Sequence, residues 1–137
     1  MPDLIDALKI SAAGMKVQGA RVLVISQNLA NQDSTAKLPG EDPYRRKVIS
    51  FKQVLDRKTG MQTVDIDRVR TDQSDFGQRY DPGHPAADKN GFIKIPNVNT
   101  MIEAADMRIA QRSYESNLSA IETSRDMINR TIDLLRN

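Results

Sequence analysis

Apolar residues recur every seven positions at both ends of the chain and nowhere between. Leu8, Met15, Val22 and Leu29 form one column, and Met107, Tyr114, Ile121, Ile128 and Leu135 form the other. A side chain repeated at that spacing stays on one stripe of a helix, and the stripe has to find an apolar partner. The pattern therefore predicts two long helices, paired with each other or with neighbouring copies. The first is expected to start on an Asp3 cap and run to about Asn31, with Ile25 added to its apolar face. The second is expected to run from a Thr100-Met101-Ile102-Glu103 capping box to Leu135. Its inner d-type positions read as Ala104, Gln111, Leu118, Arg125 and Ile132, and those of the first helix as Ser11 and Gln18. Polar residues at these places make the seam weaker than a dedicated coiled coil. Gly14 and Gly19 each cost about 1 kcal/mol against Ala in a helix interior. Either another backbone approaches closely there or the helix is simply weakened.

The middle breaks the pattern. Ile49, Phe51 and Leu55 alternate with polar residues, Val64 and Ile66 flank Asp65, and Phe92-Ile93-Lys94-Ile95 follows Asn90-Gly91. These read as short strands, the last entered through a two-residue hairpin turn. Pro39-Gly40 and Asp81-Pro82-Gly83-His84-Pro85 mark loops. The expected class is α+β, with helical ends pairing as a coiled-coil-like core. The expected segments are 1–35 (N-terminal helix), 36–96 (extended β-rich insert) and 97–137 (C-terminal helix).

Composition agrees with an elongated shape rather than a large globular core. The 137 residues are 39% apolar and 4% aromatic, with no Trp. Net charge is +2, with the signs interspersed, which reads as a solvated surface rather than a nucleic-acid stripe. There is no Cys, so disulfides and thiolate metal sites are excluded. The longest apolar run, Val22–Ile25, is far too short to span a membrane, and the acidic Met-Pro-Asp-Leu-Ile-Asp start is unlike a secretory signal. Export without a cleaved signal peptide is the expectation if the chain leaves the cytoplasm.

Chemistry is hard to place. The single histidine, His84, has no second His or Cys to share a metal, so a turn residue is the better reading. Asp88-Lys89-Asn90-Gly91 lacks the alternating ligands of a calcium loop. The Gly14–Gly19 spacing lacks the Lys-Ser/Thr pair of a phosphate loop. Asp65, Asp67, Asp72 and Asp75 lie among Arg68, Arg70 and Arg79, which points to mutual screening at a surface. No catalytic, metal or cofactor residue is expected. Tyr44-Arg45-Arg46-Lys47 is the one compact basic cluster, and it supports an alternative reading: a basic helical adaptor for nucleic acid or an acidic protein.

Ser26-Gln27-Asn28-Leu29-Ala30-Asn31-Gln32-Asp33-Ser34-Thr35 resembles the N-terminal signature of the bacterial flagellar rod and hook axial proteins. Pro43–Lys47, Tyr80–Asp88 and Pro96-Asn97-Val98-Asn99 leading to Glu103 are similar to the proximal rod subfamily, of the rod protein C type. Arg112-Ser113-Tyr114-Glu115-Ser116-Asn117 resembles its C-terminal helix motif. Asn28, Leu29, Ala30, Asn31, Tyr114, Glu115 and Asn117 carry these motifs. The resemblance implies a non-enzymatic subunit of the basal-body rod, which crosses the periplasm and carries torque to the hook. It implies partners among copies of the chain, other rod proteins and the type III export apparatus, with no nucleic acid and no stable membrane insertion. Subunit packing is then expected at Leu8, Met15, Val22, Ile25 and Leu29, and at Met107, Tyr114, Leu118, Ile121, Ile128, Ile132 and Leu135. The polar contacts of Asn28 and Asn31 would lie where the first helix ends.

Overall fold

A computed structural model describes residues 2–136. Two long helices enclose four strands in chain order: α1 (Pro2–Ala30), β1 (Lys47–Leu55), β2 (Gln62–Thr71), β3 (Gly77–Tyr80), β4 (Phe92–Ile95) and α2 (Thr100–Arg136). The class is α+β, with the terminal helices in contact and a small strand-bearing insert. Pro2 opens α1 at a helix start, where its missing N–H costs nothing, so Asp3 lies inside the first turn rather than capping it. At the other end of α1, Asn31 donates from Nδ2 to the Gln27 carbonyl at 2.8 Å and accepts from Ser34 Oγ at 3.0 Å. That side chain adds a second donor to a carbonyl that already accepts from the Asn31 N–H at 3.1 Å, closing the last turn.

The expected capping box is displaced by one residue. Asn99 caps α2, its Oδ1 accepting from the N–H groups of Met101 at 3.1 Å and Ile102 at 3.2 Å. Thr100 instead donates from Oγ1 to Gln32 Oε1 at 2.7 Å. Glu103 does not reach back to the cap, because its carboxylate is held inside the protein. Asn outranks Thr as a cap, and a partly buried cation competes for the Glu.

The chain forms two compact units. The first contains residues up to Val22, Ser50–Arg68 and the chain from Arg108 onward. In it α1 and α2 meet antiparallel. A Cβ on Gly14 would stand 2.9 Å from the Asn117 side chain, and one on Gly19 would stand 3.7 Å from the Tyr114 ring. Of the two alternatives open for these glycines, a close backbone or a weakened helix, the structure shows neither directly: what each meets is a side chain. Val17 and Ala110 are buried here, and Lys16 Nζ lies 3.5 Å from Asp65 Oδ1.

The second unit contains Leu23–Ile49 and Val69–Met107. Its buried residues include Val24, Ile25, Ile93, Asn28 and Glu103. β3 and β4 pair antiparallel, with Gly77 opposite Ile95 and Tyr80 opposite Phe92, whose rings meet edge to face at 5.3 Å. Asn90-Gly91 is not a two-residue hairpin loop between them. It closes a turn, Gly91 N–H to Asp88 O at 3.1 Å, at the end of the connection 81–91. Gly91 has φ +83°, and a Cβ there would strike Tyr80 at 2.9 Å and Pro82 at 3.1 Å. Glycine is required at this position on both counts.

β1 and β2 form a separate two-stranded hairpin closed by the turn 56–61. β2 is longer than the Val64–Ile66 stretch suggests, since it continues through the exposed Asp67-Arg68-Val69-Arg70. A ribbon exposed on both faces needs no apolar alternation there. Phe51 and Leu55, apolar positions in the β1 alternation, are exposed as well.

Candidate functional site

Polar side chains hold the centre of the second unit. Glu103 is 0% exposed, Asn28 is 1% exposed, and the two bond directly, Asn28 Nδ2 to Glu103 Oε2 at 3.2 Å. Asn28 Nδ2 also donates to Lys47 O at 2.9 Å, and Asn28 Oδ1 accepts from Lys47 N at 2.9 Å and Tyr44 Oη at 2.8 Å. Both amide hydrogens and both carbonyl lone pairs are used. The Lys47 backbone fixes which end is which, since its N–H only donates and its C=O only accepts. In effect the Asn28 side chain pairs with the first residue of β1 as a neighbouring strand would.

Arg46 completes the junction. Its Nε donates to Glu103 Oε1, its Nη1 lies 3.3 Å from Asp72 Oδ2, and its backbone N–H donates to Asn97 Oδ1 at 2.7 Å. Asn97 Nδ2 returns to the carbonyls of Asp72 at 3.0 Å and Ser74 at 3.2 Å. Arg45 donates to the same two carbonyls, each at 3.0 Å, with its guanidinium 4.1 Å over the Phe76 ring. Arg45 and Arg46 are therefore engaged by partners within the unit, and nothing in the site favours the adaptor reading. Burial opposes the Arg46 charge, but Glu103 and Asp72 outweigh it and raise the guanidinium pKa. Burial, then the Glu103 charge, raises the pKa of Tyr44.

Asp72 titrates below the usual carboxylate range. Its main cause is the Ser74 backbone N–H, at 2.9 Å from Oδ1, followed by the Ser74 side chain and Arg46. A carboxylate depressed by folding stabilises the protein above its unfolded pKa of about 3.9 and loses that contribution as pH falls through the folded value. Acid titration of stability should therefore show a falling limb below about pH 4 that Asp72→Asn flattens. A limb of unchanged slope in the variant would remove Asp72 from the account.

The predicted packing residues divide by burial. Ile25 is buried, and Leu8, Met15, Val22, Leu29, Met107, Ile121 and Ile128 are partly buried. Tyr114, Leu118, Ile132 and Leu135 are exposed, Leu135 at 80%. Of the motif residues, Asn117 lies against Gly14, while Ala30 and Glu115 are exposed. The second inner column of α2 is not Ala104, Gln111, Leu118, Arg125 and Ile132, all of which are exposed. It is Glu103, Ala110, Asn117, Ser124 and Thr131, one residue earlier. Small side chains there let the helices approach. Gln18 Oε1, on the α1 side, is buried without a hydrogen-bond partner, a cost of about 1–3 kcal/mol. Beside the seam is an open groove of about 450 Å³ lined by Gly19, Val22, Gln111, Tyr114 and Glu115.

His84 is a loop tie. Its Nδ1 accepts from Ala86 N at 3.0 Å, and its Nε2 faces Thr35 Oγ1 at 3.0 Å. Among the described residues no group of three His, Cys, Asp or Glu could hold a metal ion, and no helix is long and apolar enough to cross a membrane. Sequence reasoning missed Arg46, Asp72, Asn97 and Glu103 as one site. The only local signal was the Asn97-Val98-Asn99 entry before Glu103.

Comparison with known proteins settles the family. Residues 89–134 match the family described as flagellar basal body rod FlgEFG protein C-terminal. The chain is 48% identical to the flagellar basal-body rod protein FlgC of Agrobacterium fabrum, over 99% of this chain and 98% of that protein. It is 36% identical to FlgC of Aquifex aeolicus, over 97% and 98%, and 34% identical to FlgC of Salmonella typhimurium, over 96% and 97%. With likeness of that extent from helix to helix, the chain belongs to the FlgC family of flagellar basal-body rod proteins.

Proposed function

We propose that this chain is a structural subunit of the proximal rod of the flagellar basal body. It polymerises with copies of itself and other rod proteins into the shaft that carries motor torque across the periplasm to the hook. It reaches the rod through the flagellar type III export apparatus, and it performs no catalysis and needs no cofactor.

One observation carries this reading. α2 leaves Leu118, Ile132, Leu134 and Leu135 in solvent, while the buried side chains are few and include the polar Asn28, Glu103 and Ser124. Apolar faces of this extent are covered by partners. Repeated head-to-tail contacts between identical chains give an open helical array, the geometry of a shaft. Leu8, Met15, Val22, Ile25 and Leu29 then pack with Met107, Tyr114, Ile121 and Ile128 in the seam, and Leu118, Ile132 and Leu135 pack against neighbours. Deleting the chain from a flagellated cell is expected to abolish swimming. Restoring it should return swimming and place the chain in purified basal bodies. Basal bodies without the chain, from cells that swim, would overturn the proposal.

A further inference from the structure

The α2 helix has two faces of similar apolar content, and it turns the more polar one inward. The inner face offers Met107, Ile121 and Ile128, partly buried, together with Glu103, Ala110, Asn117 and Ser124. The outer face, starting one residue earlier, carries Ile102, Ile109, Met127 and Leu134, each at least half exposed. Intervals of seven and eighteen residues keep those four in line at 3.6 residues per turn, roughly 100° around the helix from the inner column. Hydrophobic burial is non-directional and gives no reason to choose the face that carries a carboxylate. Turning the helix by one position would bury the four large side chains and return Glu103 to water.

What opposes that turn is a pair of contacts. Arg46 Nε holds one Glu103 oxygen and Asn28 Nδ2 the other. Both partners are themselves fixed, Asn28 by Lys47 and Tyr44, and Arg46 by Asp72 and Asn97. We infer that Glu103, Arg46 and Asn28 form a rotational clamp, which sets the face α2 displays and keeps Ile102, Ile109, Met127 and Leu134 outward. Buried ion pairs add little net stability over apolar replacements, so this pair acts by specifying an arrangement. The clamp stands on geometry alone; that the displayed face serves the rod rests on the function proposed above.

The chain has no cysteine, so a single introduced thiol reports its own site. In the purified full chain, Ile109→Cys should react with a thiol reagent at least about tenfold faster than Ala110→Cys, because Ala110 is 0% exposed. Adding Arg46→Ala with Glu103→Ala removes both charges and leaves no ion buried alone. The two rates should then converge or invert, with helix content unchanged. Arg46→Gln with Glu103→Gln, which keeps hydrogen-bonding groups without charge, should do the same. The native rate ratio in either folded double variant overturns the clamp. Unfolding of both also overturns it, since the pair would then hold the fold rather than the setting of one helix. A lost ratio upholds the clamp. If such cells still swim, the clamp stands and the use of that face by the rod falls.

Discussion

Arg46→Ala should lower the free energy of unfolding by about 3–5 kcal/mol, which is much of what a small domain has. The loss comes from what remains behind. Glu103 is sealed from water and its nearest cation is Arg46, so removing the guanidinium leaves a carboxylate with only the Asn28 amide on its inner side. A buried charge in that position is strongly penalised. Adding Glu103→Ala should recover most of the loss, because the unpaired ion is then gone. Arg45→Ala is the internal control. It gives up two bonds to carbonyls and a ring contact, and should cost about 1–2 kcal/mol. Urea midpoints of the three variants decide the matter. Equal losses at Arg45 and Arg46, or no recovery in the double variant, would show that Glu103 is solvated or neutral in the folded chain.

Ile121→Asp combined with Ile128→Asp should abolish swimming and remove the chain from basal bodies. Both side chains are partly buried on the inner face of α2, and burying each large aliphatic group is worth about 1.5–3 kcal/mol. Two carboxylates on that column replace this gain with a desolvation cost wherever it packs. The second unit contains neither residue, so its junction should survive. Hydrogen exchange at the Lys47 N–H, which Asn28 holds, should stay slow in the doubly substituted monomer. Normal motility would count heavily against the seam as the assembling element. Rapid exchange at Lys47 would mean that the damage had spread through the whole fold.

The helices were legible because a seven-residue apolar repeat is a local signal that survives any context. β4 was legible for the same reason, as Phe92-Ile93-Lys94-Ile95 after a Gly is strand-like by itself. β3 was not, since Gly77-Gln78-Arg79-Tyr80 is exposed at every position and shows no alternation; only pairing with β4 makes it a strand. Glu103 was misread for an instructive reason. Thr-x-x-Glu is a true local signature of a helix start, but the partner that claims this carboxylate stands 57 positions away in sequence. No spacing rule reaches that far. The second α2 column was displaced by one residue because Ala110 and Gln111 both lie near the Met107 stripe. Hydrophobicity alone does not separate the two columns; in the structure Asn117, of the inner one, meets Gly14. The Tyr44–Lys47 cluster showed its charge in the sequence but not its direction, which depends on Asp72 and Glu103.

The antiparallel run of α1 against α2 brings the start of α1 and the end of α2 out at the same end of the first unit. Asn117 lies at Gly14, so α2 continues for 19 residues past that level while α1 goes back only 12. At a rise of about 1.5 Å per residue, α2 overhangs by roughly 10 Å, and this stretch includes Leu134 and Leu135 at 79% and 80% exposure. A fluorescent or affinity tag joined near Pro2 or Arg136 is therefore attached at the end that carries this bare leucine-bearing tip. The loop between β1 and β2 is the better attachment point: Gly60 N–H closes onto Asp56 O and Lys58 N–H onto Asp56 Oδ1, and the turn stands in solvent.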